Sequence, residues 1–232
     1  MKKDKPVQFG YFAATVVALI IIGLGYLVYF IVSAWYHAGR TRSVAGIPEP
    51  KQTAVTSDTI RFEKNGWEMQ MKYIYSYDIE ALVLHTKEYS VSDNMGDAIS
   101  PLDLLLCWGK VAENNEELDI EWDQGYRSGS FDNVTDLTLN KYFGGNMDNI
   151  ITNISNNHLI PAEKNVEKDL LKVRKGDHIR IRGYLVNIDG VRTSDGATSD
   201  WYSSTVRDDY VDGEGGQGCE VIYVTNIDWI DD

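Results

Sequence analysis

The chain has 232 residues, and its 22 lysines and arginines against 35 aspartates and glutamates give a formal net charge of −13. Residues 1–57 hold six of the basic and two of the acidic side chains, which leaves a net charge of −17 for the rest. Such a charge repels phosphate groups, so binding to nucleic acid or to anionic headgroups is disfavoured. About 175 residues after position 57 suffice for one domain with its own core.

The first long feature is an uncharged run from Tyr11 to Tyr36. It exceeds the roughly 20 apolar residues that a helix needs to cross a bilayer, and it is too long for the apolar part of a cleaved signal peptide. The run predicts a retained single-pass transmembrane helix, a signal anchor, behind a short basic tail at residues 1–10. Basic residues nearly balance across the run, but the short tail and the long domain favour an inner-membrane protein with a periplasmic or otherwise extracytoplasmic C-terminal domain.

Residues 37–58 contain two prolines and no apolar period, which predicts a semi-stiff linker ahead of an acidic domain at residues 59–232. Large side chains alternate from Trp67 to Tyr77, which is the period of a strand. One or two more strands are predicted over residues 79–89.

The middle of the chain gives weaker patterns. A serine-proline pair followed by apolar residues predicts a helix that starts near Leu102 and ends near Gly109 or Ala112. Short alternation around Gly125 predicts a hairpin, and an asparagine- and glycine-rich stretch at residues 140–149 predicts a loop.

Residues 161–186 carry the clearest local signals of the domain. A helix is predicted to open at Pro161 and to stop at Gly176, because its apolar residues have helical spacing and its charges complement the helix dipole. Alternation over residues 177–186 predicts a half-buried strand, with a turn at Asp189-Gly190.

Two further strands are predicted at Trp201–Val206 and Cys219–Trp229. The run RKGDHIRIRG at residues 174–183 looks like the first long strand of a small OB- or SH3-type barrel. The predicted fold class is α+β: an N-terminal transmembrane helix followed by a mixed domain with a small, partly barrel-like antiparallel sheet and two or three short helices.

Five blocks of the domain resemble a family of bacterial membrane-anchored proteins without an assigned activity. They are ISPLDLLLCWGKV (99–111), SNNHLIPA (155–162), VRKGDHIRIRGYLV (173–186), WYSSTVRDD (201–209) and GCEVIYV (218–224). The resemblance covers most of the domain and implies a bacterial setting. It implies no catalytic residue.

His158 is the strongest single candidate for a functional side chain, with Asn157, Arg207 and Asp208 as weaker candidates beside it. It lies where a helix is predicted to begin, so it would act as a general base or ligand or, as the favoured interpretation, brace the turn. His158, Cys219 and an aspartate are the residue types of a catalytic triad with a thiol nucleophile. Such a triad is recognised by the geometry of its side chains, which residue types alone do not give. Cys219 on an alternating strand is more typical of a core residue.

The sequence predicts no cofactor and no metal. The four histidines include no i, i+4 pair, and neither C-x-x-C nor H-E-x-x-H occurs. The acidic loop at residues 208–214 has Tyr210 at the third position, where a calcium loop needs Asp or Asn. Cys107 and Cys219 could bridge in an oxidising compartment, but the apolar surroundings of Cys107 favour a buried thiol.

These features predict a non-catalytic, membrane-anchored scaffold or interaction module of a bacterial envelope complex. Its partners would be other envelope proteins or a second copy of the chain. The alternatives are an envelope enzyme that uses His158 with neighbouring polar side chains, and a small-ligand sensor. A deep cleft around His158 would favour the enzyme, whereas a flat exposed apolar patch would favour the scaffold.

Overall fold

The computed structural model describes residues 15–29, 40–56, 58–203 and 219–230. The chain divides into two compact units, Met1–Gly39 and Arg40–Asp232. The described part of the first unit is a helix over residues 15–29, here α1.

The predicted membrane span is wrong. α1 is the part of the run from Tyr11 to Tyr36 that the structure describes, and the remainder lies outside the described residues. Among the described residues, no helix combines the length and apolarity needed to cross a membrane. The single-pass, signal-anchor, inner-membrane and extracytoplasmic predictions depended on that span and are withdrawn with it.

The second unit consists mainly of strands, so the predicted α+β class is also wrong. Strands account for 45% of the described structure. They are β1 (Lys51–Ala54), β2 (Thr59–Lys64), β3 (Trp67–Glu88), β4 (Leu102–Cys107), β5 (Glu121–Gln124), β6 (Gly129–Asp132), β7 (Ile154–Pro161), β8 (His178–Arg192), β9 (Thr198–Tyr202) and β10 (Cys219–Trp229). The helices between them are short: α2 (Met95–Ile99), α3 (Gly109–Asn114), α4 (Asp136–Phe143), α5 (Asp148–Ile151) and α6 (Lys164–Leu170).

Five of the strands close into a barrel. Their order is β3–β4–β7–β10–β8, and β8 pairs back onto β3. β7 and β10 run parallel, the other neighbours in the ring are antiparallel, and α6 lies between β7 and β8 in the chain. This connectivity matches an OB-type barrel. The sheet is therefore a closed mixed barrel, and the run at residues 174–183 leads into its fourth strand, not its first.

β3 is long enough, at 22 residues, to belong to two structures. Its C-terminal part lies in the barrel. Its N-terminal part pairs with β2 and β8, and β8 pairs in turn with β9, so that a four-stranded sheet β2–β3–β8–β9 extends from the barrel. A register irregularity between Tyr73 and Tyr75 separates the two parts, as a bulge does where a strand bends.

Two apolar cores lie on opposite sides of the barrel wall. The barrel interior contains residues such as Ile79, Leu104 and Ile181. The second core lies between the sheet extension and α2, where Met71 and Met95 are almost fully buried.

The largest error in the predicted elements concerns residues 102–107, which form β4 instead of a helix. All six of its residues are buried. One face lines the barrel and the other lies under the β5–β6 hairpin, so apart from Asp103 the strand is apolar on both faces. Apolar periodicity cannot separate such a strand from a buried helix.

Other elements agree better with the patterns. The predicted bounds of β10 are confirmed, as are the hairpin around Gly125 and the core of the helix after Pro161. Four predictions need correction: residues 79–89 continue β3, Asp189-Gly190 lies inside β8, part of the predicted linker forms β1, and helices α4 and α5 enter the predicted loop. The end of the predicted strand at Val206 lies outside the described residues.

Candidate functional site

His158 lies within strand β7 and not at a helix entrance. It sits directly opposite Asp103 in β4 and beside Val221 in β10. Neighbouring side chains of a strand alternate between faces, and Leu159 belongs to the barrel core. His158 therefore points to the outer face of the barrel, yet its side chain is only 2% exposed.

Asp103 and Trp201 enclose the His158 ring. Nδ1 of His158 lies 3.0 Å from Oδ2 of Asp103. Neither atom has a partner with hydrogen-bond geometry in the described structure, so the contact is a close polar approach and not a directed hydrogen bond. The Trp201 ring covers His158 with a centroid separation of 4.5 Å. The ring is thus packed in place.

Arg127 closes the same face from the turn between β5 and β6. Its Nη1 donates to Oδ1 of Asp103 at 2.6 Å, and its Nη2 donates to Oδ1 of Asp97 at 2.8 Å and to the carbonyl oxygen of Ser100 at 2.7 Å. Its guanidinium carbon lies 3.5 Å from the centroid of the Tyr89 ring. We call these five residues the Arg127 cluster. They form a hydrogen-bonded ionic network of the kind that makes burial of charge tolerable.

The titration of this cluster indicates a structural role. Burial alone would raise the pKa of the Asp97 carboxyl, but hydrogen bonds from Ser92 and Arg127 and the charge of Arg127 outweigh it and hold that pKa below its usual range. Burial raises the pKa of the Tyr89 hydroxyl to about 12. Asp97 thus stays ionised and Tyr89 stays neutral near pH 7, and neither is poised for proton transfer there.

Gln124 gives the β5–β6 hairpin a second attachment to the barrel. Its Nε2 donates to Oδ1 of Asn156 at 2.6 Å, and its carbonyl oxygen accepts from Nζ of Lys87 at 2.7 Å. The hairpin therefore lies over the outer face of β3, β4 and β7. OB-type barrels often bind their ligands on this side, and in this chain the hairpin occupies it.

The other predicted site residues are not brought together with His158. Asn157 is fully buried and its Nδ2 donates to backbone carbonyls, 3.2 Å to Leu104 and 2.9 Å to Ser155. It therefore satisfies backbone groups next to the barrel core. Arg207 and Asp208 lie outside the described residues.

Cys219 lies on the outer face beside Asn156, but it lacks the character of a nucleophile. Burial raises the pKa of its thiol, whereas a reactive cysteine needs a lowered pKa. Cys107 and Cys219 are both free. The geometry does not support a thiol triad with His158 and Asp103.

A second candidate site lies on the β2–β3–β8–β9 sheet, on the face opposite to the one from which Trp201 covers His158. This sheet packs one face against the second core and turns the other outward. The outward face is concave and holds a depression of about 840 Å³. It is lined by Arg61, Phe62, Glu63, Glu68, Met69, Gln70, Asp189, Gly190, Val191, Thr198, Ser199, Asp200 and Tyr202. We call it the concave face.

Sequence reasoning missed both the Arg127 cluster and the concave face. A signal existed for the cluster, because Asp103 is a carboxylate inside the apolar run LDLLLC and a buried charge requires a partner. The concave face left a fainter signal in the polar residues that alternate along β2 and the start of β3.

Comparisons of the chain with protein-family models, with curated proteins and with solved structures find no match. The class of the protein, an OB-type barrel with a sheet extension, therefore depends on its strand order, its parallel pair and its helix position.

Replacing His158 by alanine should lower the free energy of unfolding by about 1 to 3 kcal/mol, because a buried polar partner of Asp103 and a ring packed on Trp201 are both lost. Urea unfolding of the full chain measures the loss. His158→Gln keeps a polar side chain and should cost less. An unchanged stability in His158→Ala would contradict the bracing role.

Proposed function

We propose that this chain is a non-catalytic interaction module that binds a partner protein on its concave face. The observation that supports the proposal is the depression of about 840 Å³ on the outward side of the β2–β3–β8–β9 sheet. Its lining includes Tyr202 and Arg61, two residue types that are enriched at protein interfaces, and its other polar groups suit the polar rim of an interface.

The alternative of an enzyme based on His158 has less support. A general base must come within hydrogen-bond reach of a substrate proton. His158 is enclosed by Asp103 and Trp201, and the second carboxylate oxygen of Asp103 is engaged by Arg127. These contacts favour a bracing function for the histidine.

Nucleic acid is also disfavoured as the partner, although OB-type barrels often bind it. The concave face carries one arginine and four carboxylates, and the chain after position 57 is strongly acidic. Phosphate groups would be repelled at this surface. A protein partner, either another chain or a second copy of this one, fits the charge better.

Site-specific photocrosslinking tests the proposal. A photoreactive amino acid at Thr198, which is exposed on the concave face, should yield crosslinks to the partner in cells. The same amino acid at Leu137, which is 78% exposed on α4, should yield few or none. The mass of the adduct distinguishes a second copy from another protein. Equal crosslinking from both positions would contradict a binding surface at the concave face.

A further inference from the structure

We infer that the concave face recognises a basic, extended segment of its partner, with lysine or arginine side chains directed at its carboxylates. The inference rests on the proposed function and specifies the chemistry of the partner. It follows from how charges are arranged across the four strands.

Two pairs of carboxylates face each other across neighbouring strands. Glu63 in β2 lies directly opposite Glu68 in β3, and Asp189 in β8 lies directly opposite Asp200 in β9. Like charges at directly opposite positions destabilise an antiparallel pair. A cation bound between them would remove that repulsion.

The described residues provide no counter-ion for these four carboxylates. Arg61 is a cation that lines the concave face, and its Nε and Nη2 both donate to Oε1 of Gln70, at 3.1 and 2.9 Å. Within the described ranges, none of the four carboxylates forms a salt bridge. Asp189 accepts one hydrogen bond, from the hydroxyl of Tyr202 at 2.6 Å.

The other end of the same strands is arranged differently. There Asp78 of β3 pairs with Arg180 of β8 at 2.6 Å, and Arg182 pairs with Asp228 at 3.0 Å. β3 and β8 thus neutralise carboxylates with arginines at this end, where Asp78 and Arg180 line only a small cavity of about 90 Å³. The unneutralised carboxylates coincide with the concave face, which is what a site for an external cation requires.

The depression also suits the aliphatic stems of lysine and arginine. Val191 and Tyr202 contribute to its lining, and their side chains are 45% and 53% exposed. Apolar surface beside carboxylates lets a long cationic side chain bury its methylene groups while its charge is paired, and the Tyr202 ring offers a cation–π contact.

The width of the sheet sets the length of the segment. Four strands about 4.8 Å apart span roughly 14 Å, which an extended chain crosses in about four or five residues at about 3.3 Å each. Alternate side chains of such a segment point to the same face. Two or three basic residues at alternate positions would therefore face the sheet.

Fluorescence anisotropy with the purified full chain tests the inference. The probe is a labelled twelve-residue peptide of alternating lysine and serine, and the comparison peptide alternates glutamate and serine. We expect the lysine peptide to bind, with an affinity that falls as salt is added, and the glutamate peptide not to bind.

A matched pair of variants locates the binding. Glu68→Gln/Asp200→Asn removes two negative charges from the concave face and should weaken binding of the lysine peptide at least tenfold. Glu121→Gln/Asp132→Asn removes the same charge from an exposed facing pair on the β5–β6 hairpin and should change it less than twofold. An equal loss in both variants would show general attraction to an acidic protein and would overturn the inference.

Thermal unfolding supplies an independent readout. The double variant on the concave face should melt about 1 to 3 °C higher than the parent protein, because opposed like charges are removed. A variant that is more stable but binds less tightly has not lost binding through misfolding. A lower melting temperature would contradict the account of opposed charges.

The inference and the proposed function can fail separately. If Thr198 crosslinks to a partner but the lysine peptide does not bind, the surface is real and the basic chemistry is wrong. If neither crosslinking nor peptide binding localises to the concave face, both are wrong.

Discussion

Replacing Arg127 by alanine should lower the free energy of unfolding by about 3 to 5 kcal/mol. The substitution leaves two carboxylates buried without a counter-ion, since the side chains of Asp97 and Asp103 are only 9% and 0% exposed. It also removes the guanidinium that covers the Tyr89 ring. Urea unfolding of the full chain, followed by tryptophan fluorescence, measures the effect.

Arg192→Ala is the matched control for this experiment. Arg192 also forms a forked pair with a carboxylate, through 2.9 and 2.6 Å hydrogen bonds to Asp195. The Asp195 side chain is 51% exposed, so water replaces the lost partner and the expected loss is far smaller than that of Arg127→Ala. If Arg127→Ala and Arg192→Ala lose similar amounts of unfolding free energy, then water reaches Asp97 and Asp103 as easily as it reaches Asp195, which would contradict the buried ionic network.

Acid should reduce the difference between the Arg127→Ala variant and the parent protein. The pKa of Asp97 is lowered in the folded protein, so its stabilising contribution is complete above the unfolded value of about 3.9 and is lost as the pH falls through the folded pKa. Without Arg127, burial acts on Asp97 with less opposition, and protonation relieves the variant. The destabilisation should therefore be largest near pH 7 and should shrink below about pH 4.

Local patterns were sufficient for elements whose two faces differ. Alternation over Ile179, Ile181 and Leu185 predicts the first part of β8, and the pattern at Cys219–Trp229 predicts β10 with its correct bounds. Each of these strands has one face in the barrel interior and one face that is partly exposed to solvent. The same reasoning failed at residues 102–107, where both faces are covered. It also failed at Tyr11–Tyr36, where composition alone was taken to decide whether a segment crosses a membrane.

Barrel closure could not be read from the chain. It requires Tyr75–Leu82 to pair with His178–Leu185, and no local pattern reports a pairing between segments about a hundred positions apart. Once the strands are placed, their order alone defines the OB-type connectivity.

The candidate sites illustrate the same limit. A predicted turn makes His158 a candidate in the sequence, but its burial comes from the strand partner Asp103 and the covering Trp201. Arg127 lies 24 and 30 positions from its two carboxylates, and in the sequence it resembles an ordinary turn residue beside glycines. Only the fold shows that it is the counter-ion of a buried network.

Gly183→Ala should be the second strongly damaging substitution, because it removes the space that allows β8 and β10 to approach in the barrel wall. A Cβ atom at this position would lie 2.0 Å from the carbonyl oxygen of Tyr223 and 3.1 Å from Cα of Val224. These atoms belong to the backbone and cannot rotate away. We expect a loss of about 3 kcal/mol or more, at or above the upper end of ordinary overpacking.

Gly129→Ala provides the contrast that tests this reasoning. There the nearest atom to an added Cβ is Cδ1 of Leu105, at 2.8 Å, a terminal methyl group that can move to another rotamer. The expected loss is about 1 kcal/mol. Both variants are measured by urea unfolding, and by pulse proteolysis if Gly183→Ala is too unstable for a full transition. If Gly183→Ala costs no more than Gly129→Ala, then β8 and β10 adjust freely, and the barrel is not closed as tightly at this pair as the contact between Gly183 and Tyr223 requires.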